Sequence, residues 1–257
     1  MIVRDRIRLV IYIILIVTLL AIIAFALSFL NLNGNITLPF SPTFLYLYDK
    51  NAIDYATDST VKLICTFGDE EIGSQGSGFF ALEPGVIVTC YHVIKDGPDC
   101  ISAEMHQDRQ FLFVNSVIGY SEEDDIAFLR FAATDAPILN LADANELENN
   151  QLLIAIGSPN GDKDTVSFGF FKMLDTYVVS TNGIDEGSSG GPLLNSVGNV
   201  VGVNRASSYR FCYSVPSEKV LEVWNSLNPG DEIPLKEFAE NRGTQVSDSG
   251  PTVYIPA

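Results

Sequence analysis

The chain has 257 residues, enough for one large or two small domains, and its 47% hydrophobic and 18% charged content argues against extensive disorder. With 32 acidic against 15 basic residues the formal net charge is -17. That balance argues against nucleic acid as a partner, because phosphate contacts need clustered Lys and Arg; the acidity serves solubility or favours cationic substrates. Four cysteines (Cys65, Cys90, Cys100, Cys212) are too few for a disulfide scaffold. Cys90 and Cys100 lie near enough in sequence to close a small loop in an oxidising compartment, while Cys65 and Cys212 sit in apolar runs as small hydrophobes. No CxxC or Cys/His cluster points to a metal, and no cofactor is expected.

Taken in order, the chain opens with a short stretch, 1–9, that carries Arg4, Arg6 and Arg8. Residues 10–30 are apolar except at Tyr12, Thr18 and Ser28, long enough to cross a bilayer as a helix. The preceding arginines place the N-terminus in the cytoplasm and the rest of the chain outside it. A cleaved signal peptide is the competing reading, but its candidate site, Ala24-Phe25-Ala26, lies inside the apolar run and not after it. Residues 31–59 read as a polar spacer with Pro39 and Pro42, an aromatic cluster at 44–48 and a glycosylation sequon at Asn35-Ile36-Thr37.

From residue 60 the pattern changes to short β-rich runs separated by turn residues: 61–67, 78–82, 86–89, 111–120 and 126–131, then 151–156, 166–171, 177–181, 192–194, 200–203 and 211–215. Many short strands without long helical stretches between them predict an all-β antiparallel sandwich or barrel over 60–228. Only 217–227 reads as a helix, with Ser217 as N-cap, Val220, Leu221, Trp224 and Leu227 on one face, and Pro229-Gly230 as a stop. Residues 229–257 read as a polar tail.

Three residues stand out chemically. Ser189 lies in Asp185-Glu186-Gly187-Ser188-Ser189-Gly190-Gly191-Pro192-Leu193, where small neighbours permit a tight turn and let backbone N–H groups approach a reacting carbonyl. By itself this stretch reads equally well as a flexible loop. Of the two histidines, His106 falls in a polar segment, whereas His92 follows Val86-Ile87-Val88-Thr89-Cys90-Tyr91, a strand running into a turn, and is placed to act as general base. Asp125 sits where the acidic turn Glu122-Glu123-Asp124 gives way to an apolar strand, so it can be drawn inward to orient the imidazole. The order His, Asp, Ser excludes the α/β-hydrolase order, which needs a His after the nucleophile, and leaves that of chymotrypsin.

These stretches together resemble the trypsin-like serine proteases, and within them the HtrA/Deg type. Gln75-Gly76-Ser77-Gly78-Phe79 resembles the opening strand motif of that family. Val88-Thr89-Cys90-Tyr91-His92-Val93-Ile94 is similar to its histidine motif, and Asp125-Ile126-Ala127-Phe128-Leu129 to its aspartate motif. Ala155-Ile156-Gly157-Ser158-Pro159-Asn160-Gly161 resembles the opening of the second barrel, and the stretch 187–193 the nucleophile motif, with Ser188 in place of Asn. The resemblance covers about 60–220. It implies two antiparallel six-stranded β-barrels with the His92–Asp125–Ser189 triad in the cleft between them. It also implies an oxyanion hole at Gly187, Ser188 and Ser189, and a specificity pocket lined by Gly183, Ile184, Asn204, Arg205, Ala206 and Ser207. With Gly183 where trypsin-like specificity would need Asp, a small or aliphatic side chain before the cut is expected, or an acidic one if Arg205 reads it. The residues after Pro216 are too few for the PDZ domain usual in the family.

The resulting expectation is a membrane-anchored serine endopeptidase acting on protein or peptide substrates in quality control or processing outside the cytoplasm, periplasmic or extracellular. Its rivals are a protease-fold binding protein without turnover and a viral or phage-type processing protease.

Overall fold

Short strands, several of them buried along their whole length, close two barrels, and the turns between the strands deliver the conspicuous residues to the seam. The structure, a computed structural model, describes residues 48–68, 73–106, 111–131, 135–208, 210–228, 230, 232–241 and the backbone of 253–254. The 10–30 segment and the sequon lie outside the described residues; among those described, no helix is long and apolar enough to cross a membrane.

The first barrel comprises β1 (Thr60–Thr66), β2 (Ser74–Phe80), β3 (Val86–Thr89), β4 (Cys100–Glu104), β5 (Phe111–Ser121) and β6 (Ile126–Phe131). They pair in the antiparallel order β5-β4-β1-β2-β3-β6, and β5–β6 pairing closes the ring. Bulges between Val114 and Ser116 and between Val117 and Gly119 let β5 curve enough to meet both neighbours. The interior is apolar and large-residue: Leu63, Phe79, Phe80, Ile87, Ile101 and Phe128 have under 2% exposure. Each such side chain stabilises the fold by about 1.5–3 kcal/mol.

The second barrel is built from β7 (Leu152–Gly157), β8 (Thr165–Leu174), β9 (Val178–Ser180), β10 (Pro192–Leu194), β11 (Val200–Ser208) and β12 (Phe211–Pro216), closed in the order β10-β11-β12-β9-β8-β7. Its own apolar cluster is smaller, with Leu153, Phe171, Leu193 and Val201 among its members. A buried polar network accompanies it: Asn182 Nδ2 donates to Leu153 O at 3.1 Å and to Ser167 O at 2.8 Å, and Asn204 Nδ2 to Pro192 O at 3.1 Å and to Ile156 O at 3.3 Å. Ser214 Oγ donates to Asn204 Oδ1 at 3.2 Å.

Helices decorate this core: α1 (Lys50–Asp58), the single turn α2 (Tyr91–Ile94), α3 (Ser217–Ser226) and α4 (Leu235–Glu240). Two of them correct the sequence reading. The end of the 31–59 spacer is α1, capped by Asp49 Oδ1 accepting from Asn51 N at 2.9 Å, with Ile53, Ala56 and Thr57 buried. Their i, i+3, i+4 spacing was present, but one strong hydrophobe among polar residues is a weak signal until a barrel covers it. The tail likewise contributes β13 (Ile233–Pro234), paired with β5, and α4, whose Leu235, Phe238 and Ala239 are buried. Phe238 meets Tyr120 edge-on at 5.9 Å. The backbone of β14 (Val253–Tyr254) also pairs with β5. Finally, 100–104, which overlaps the polar segment around His106 and was not among the expected strands, is a strand because barrel neighbours satisfy its backbone on both sides.

Candidate active site

The imidazole is presented by the strand-to-helix junction that the sequence placed there. Cys90 ends the extended chain, α2 makes one turn, and Val93 and Ile94 are buried while His92 faces solvent, its side chain 40% exposed. Asp125 occupies the last turn position before β6 with φ +57°, a left-handed conformation uncommon for a non-glycine residue. What holds it there is a set of three bonds to α2. Its carbonyl accepts from Tyr91 N at 3.2 Å, Oδ1 accepts from His92 N at 2.9 Å, and Oδ2 lies 2.8 Å from His92 Nδ1. An Nδ1–H aimed at the carboxylate leaves Nε2 as the acceptor of the neutral ring.

Asp125 is 4% exposed. Burial pulls its carboxyl upward, but the hydrogen bonds and charge of His92, and then the charge of Arg205, outweigh it and hold the pKa below the ordinary Asp value. The group is therefore an anion. Arg205 Nε donates to the same Oδ2 at 2.8 Å, and its guanidinium carbon lies 5.3 Å from the centre of the Tyr177 ring. Beside Tyr177 a cavity of about 530 Å³ opens, with Glu123, Asp124, Asp175 and Glu218 in its lining.

The second barrel supplies the turn that carries Ser189, the expected nucleophile. Gly187 has φ +96° and Gly190 φ +90°. A Cβ on Gly190 would meet Ser77 O at 2.1 Å and Thr89 Oγ1 at 2.3 Å, so only glycine lets the turn sit this close to the β2–β3 hairpin. Ser77 is the clamp. Its N–H donates to Ser189 O at 2.7 Å, its Oγ donates to Gly187 O at 2.7 Å, and the same Oγ accepts from Ser158 N at 3.0 Å. Asn160 N donates to Glu186 O at 2.7 Å, which, in a planar trans peptide, turns the Gly187 N–H the opposite way. Ser188 N donates to Asp185 O at 3.0 Å. Of the three expected oxyanion donors, Gly187 and Ser189 are then the two without an acceptor among the described hydrogen bonds. The Ser189 hydroxyl donates to Arg205 O at 3.0 Å.

The remaining expected residues are placed as follows. Asn204 is fully buried and braces the turn from behind: its carbonyl accepts from Gly190 N at 2.7 Å and its N–H donates to Gly191 O at 2.8 Å. Ile184 is buried in the second barrel's apolar cluster, while Gly183, Ala206 and Ser207 are exposed. Cys90 and Cys100 are not bridged; all four cysteines are free, and Cys90 Sγ turns to Asn204 O at 3.3 Å. Burial, and then the charge of Asp125, push the Cys90 thiol well above its ordinary value, so it stays protonated. Ligand atoms of Cys90, His92 and Asp125 lie within 4.8 Å of one another, but their hydrogen bonds to Asn204, Arg205 and each other already engage them. His106 lies 2.7 Å from Asp164 Oδ2, away from this cluster. Ser77 and Asn160 escaped the sequence reading as individual residues. Their signal lay in the glycine-flanked motifs that contain them, which say that the backbone is tight and not which bond is made.

Residues 76–203 match the family model described as the trypsin-like peptidase domain. Curated relatives include a probable periplasmic serine endoprotease, DegP-like, of Hahella chejuensis, 34% identical over 175 residues covering 62% of this chain and 37% of that protein. The putative serine protease HhoA of Synechocystis is 28% identical over 184 residues, covering 65% of this chain and 46% of that one. The chain thus spans less than half the length of these relatives. Among solved structures, the HtrA-type protease AlgW with tripeptide superposes with TM-score 0.63 at 25% identity, covering 68% of this chain and 62% of that chain. The serine endoprotease from Yersinia pestis gives TM-score 0.62 at 24% identity, covering 74% and 67%.

Proposed function

Since this chain belongs to the trypsin-like peptidases of HtrA type, we propose that it is a serine endopeptidase that uses His92, Asp125 and Ser189. The observation that carries the reading is the 2.8 Å bond between His92 Nδ1 and the buried Asp125 carboxylate, beside a nucleophile turn clamped by Ser77. For attack, Ser189 Oγ leaves the Arg205 carbonyl, to which it donates at 3.0 Å, and turns its proton to His92 Nε2. The imidazole takes the hydroxyl proton as Oγ attacks the peptide carbonyl, and Asp125 stabilises the imidazolium. The N–H groups of Gly187 and Ser189 meet the negative charge that develops on the carbonyl oxygen. The imidazolium protonates the leaving amine, and water, activated in the same way, releases the acyl group from Ser189.

The substrates are proteins or peptides cut after a small or aliphatic side chain. The 10–30 run serves as a single-pass anchor with 1–9 cytoplasmic and the barrels outside, in keeping with relatives named periplasmic. Carbonate extraction of membranes checks the anchor: release of the full-length chain into the soluble fraction defeats it.

Casein cleavage by the wild-type chain, abolished in Ser189→Ala, tests the activity. The bond from Ser189 Oγ to Arg205 O favours a second reading, a protease-fold binder whose serine is never activated. A fluorophosphonate probe separates the two. Labelling of the wild type at Ser189 supports turnover, and silence in native buffer supports the binder.

A further inference from the structure

One residue touches both halves of the site. Arg205 sits in the bulge between Asn204 and Ala206 that interrupts the β11–β12 register. A bulge re-aims the side chain that it lifts out of the ladder. Here the carbonyl of Arg205 accepts from Ser189 Oγ at 3.0 Å, while its side chain crosses the seam and donates from Nε to Asp125 Oδ2 at 2.8 Å. That carboxylate oxygen is the one that faces His92 Nδ1. The Arg205 side chain is 38% exposed, against 6% for that of Asp125, and the Tyr177 ring backs its guanidinium. A specificity-pocket residue pointing at substrate has no need of this arrangement.

We propose that Arg205 is a positioning residue of the catalytic pair: it holds the Asp125 carboxylate against His92, offsets part of its charge, and thereby sets how far into acid the enzyme works. The inference rests on the peptidase reading. A carboxylate with φ +57° needs partners to keep it in place, and Arg205 is the one that reaches it from the other barrel. An arginine at the shared oxygen also weakens the field that the carboxylate exerts on the imidazole. Facing this group are Cys90 from the end of β3, protonated as described, and Tyr177 from the segment before β9. Glu122, Glu123 and Asp124 belong to the turn of Asp125 itself, and Glu122 is engaged by Tyr91 Oη at 3.0 Å. Lys219 from α3 faces Glu123 and Asp124, and Arg205 is the cation that contacts the Asp125 carboxylate itself. Within the peptidase mechanism it acts through Asp125.

The test uses the full chain and two readouts. The first is the rate of fluorophosphonate labelling of Ser189 against pH, resolved into maximal rate and apparent affinity. The second is the NMR titration of the His92 ring in a Ser189→Ala background, which needs no turnover. Arg205→Gln should move the acid limb of labelling, and the His92 midpoint, upward by about one pH unit. Labelling at pH 6 then falls roughly tenfold relative to pH 8, with apparent affinity unchanged. Arg205→Lys should restore the position of the limb but not the maximal rate, because an ammonium keeps the charge and lacks the planar fork. A purely structural arginine would lower the melting temperature and the maximal rate while leaving both pH positions where they were. Unmoved positions in Arg205→Gln, or equal shifts in Gln and Lys variants, would overturn the proposal. A wild type that never labels, with a His92 midpoint that still moves in Arg205→Gln, would sink the peptidase reading while sustaining the role of Arg205.

Discussion

The two barrels share a topology and differ in what holds them. The first is filled with large apolar side chains, and its proposed catalytic pair is already joined, His92 to Asp125 at 2.8 Å. The second has a smaller apolar cluster of its own, threaded by Asn182, Asn204 and Ser214, and its proposed nucleophile, Ser189, is hydrogen-bonded within its own barrel, to Arg205 O. The physical lesson is that apolar packing is non-directional and makes a good scaffold, whereas buried hydrogen bonds fix peptide orientations. The turn proposed to bind the oxyanion depends on peptide orientation, and it lies in the barrel rich in such bonds.

The largest effect expected is at the second barrel's nucleophile. Ser189→Ala should reduce casein turnover by roughly 10⁴-fold or more while leaving the unfolding midpoint unchanged, since triad members act as a unit. A drop below tenfold would place the nucleophile elsewhere. Next come paired truncations that set the barrels against each other. Phe80→Ala removes a ring with 1% exposure from the first barrel and should cost about 3–5 kcal/mol by urea unfolding, with kcat of the folded fraction kept. Asn204→Ala should cost less stability, about 1–3 kcal/mol, yet lose most of kcat, because the bonds of its side chain to Ile156 O, Pro192 O and Ser214 Oγ are lost from behind the turn that carries Ser189. If both variants lose stability and activity in the same proportion, the division of labour is wrong.

Ser77→Ala lies between the two, in a first-barrel strand serving the second barrel's turn. It removes the bonds to Gly187 O and Ser158 N, so about 1–2 kcal/mol of stability and tenfold or more of kcat should go together. The smallest effect is on acid stability. The folded-state pKa of Asp125 is depressed, so its contribution is present above the unfolded value of about 3.9 and is lost as pH falls through the lower folded value. Urea midpoints of wild type and Asp125→Asn should therefore converge below pH 4. A gap that stays constant down to pH 2 would contradict the shift.

Much of this was legible beforehand because it is local. A hydrophobic strand ending in Cys90-Tyr91-His92, an acidic turn ending at Asp125 and a glycine-bracketed Ser189 each require a backbone setting that their own neighbours announce. The short β-rich runs with turn residues between them announce a sandwich or barrel, and the division into two barrels comes from the resemblance to the trypsin-like proteases. The helices at Lys50–Asp58 and Leu235–Glu240 were not legible, because their few apolar residues earn a helix only once a barrel surface covers them.

By itself, then, the order of residues determined most of the strands and turns and singled out the three groups proposed to carry acyl-transfer chemistry. The tertiary structure alone decided which partners those groups have: Arg205 on Asp125 across 80 positions, Ser77 on Gly187 across 110, and the Ser189 hydroxyl on the Arg205 carbonyl. The reason is that a hydrogen bond is set by distances of tenths of an ångström and by direction. Between residues so far apart in the chain, only the closure and docking of the two barrels supply either.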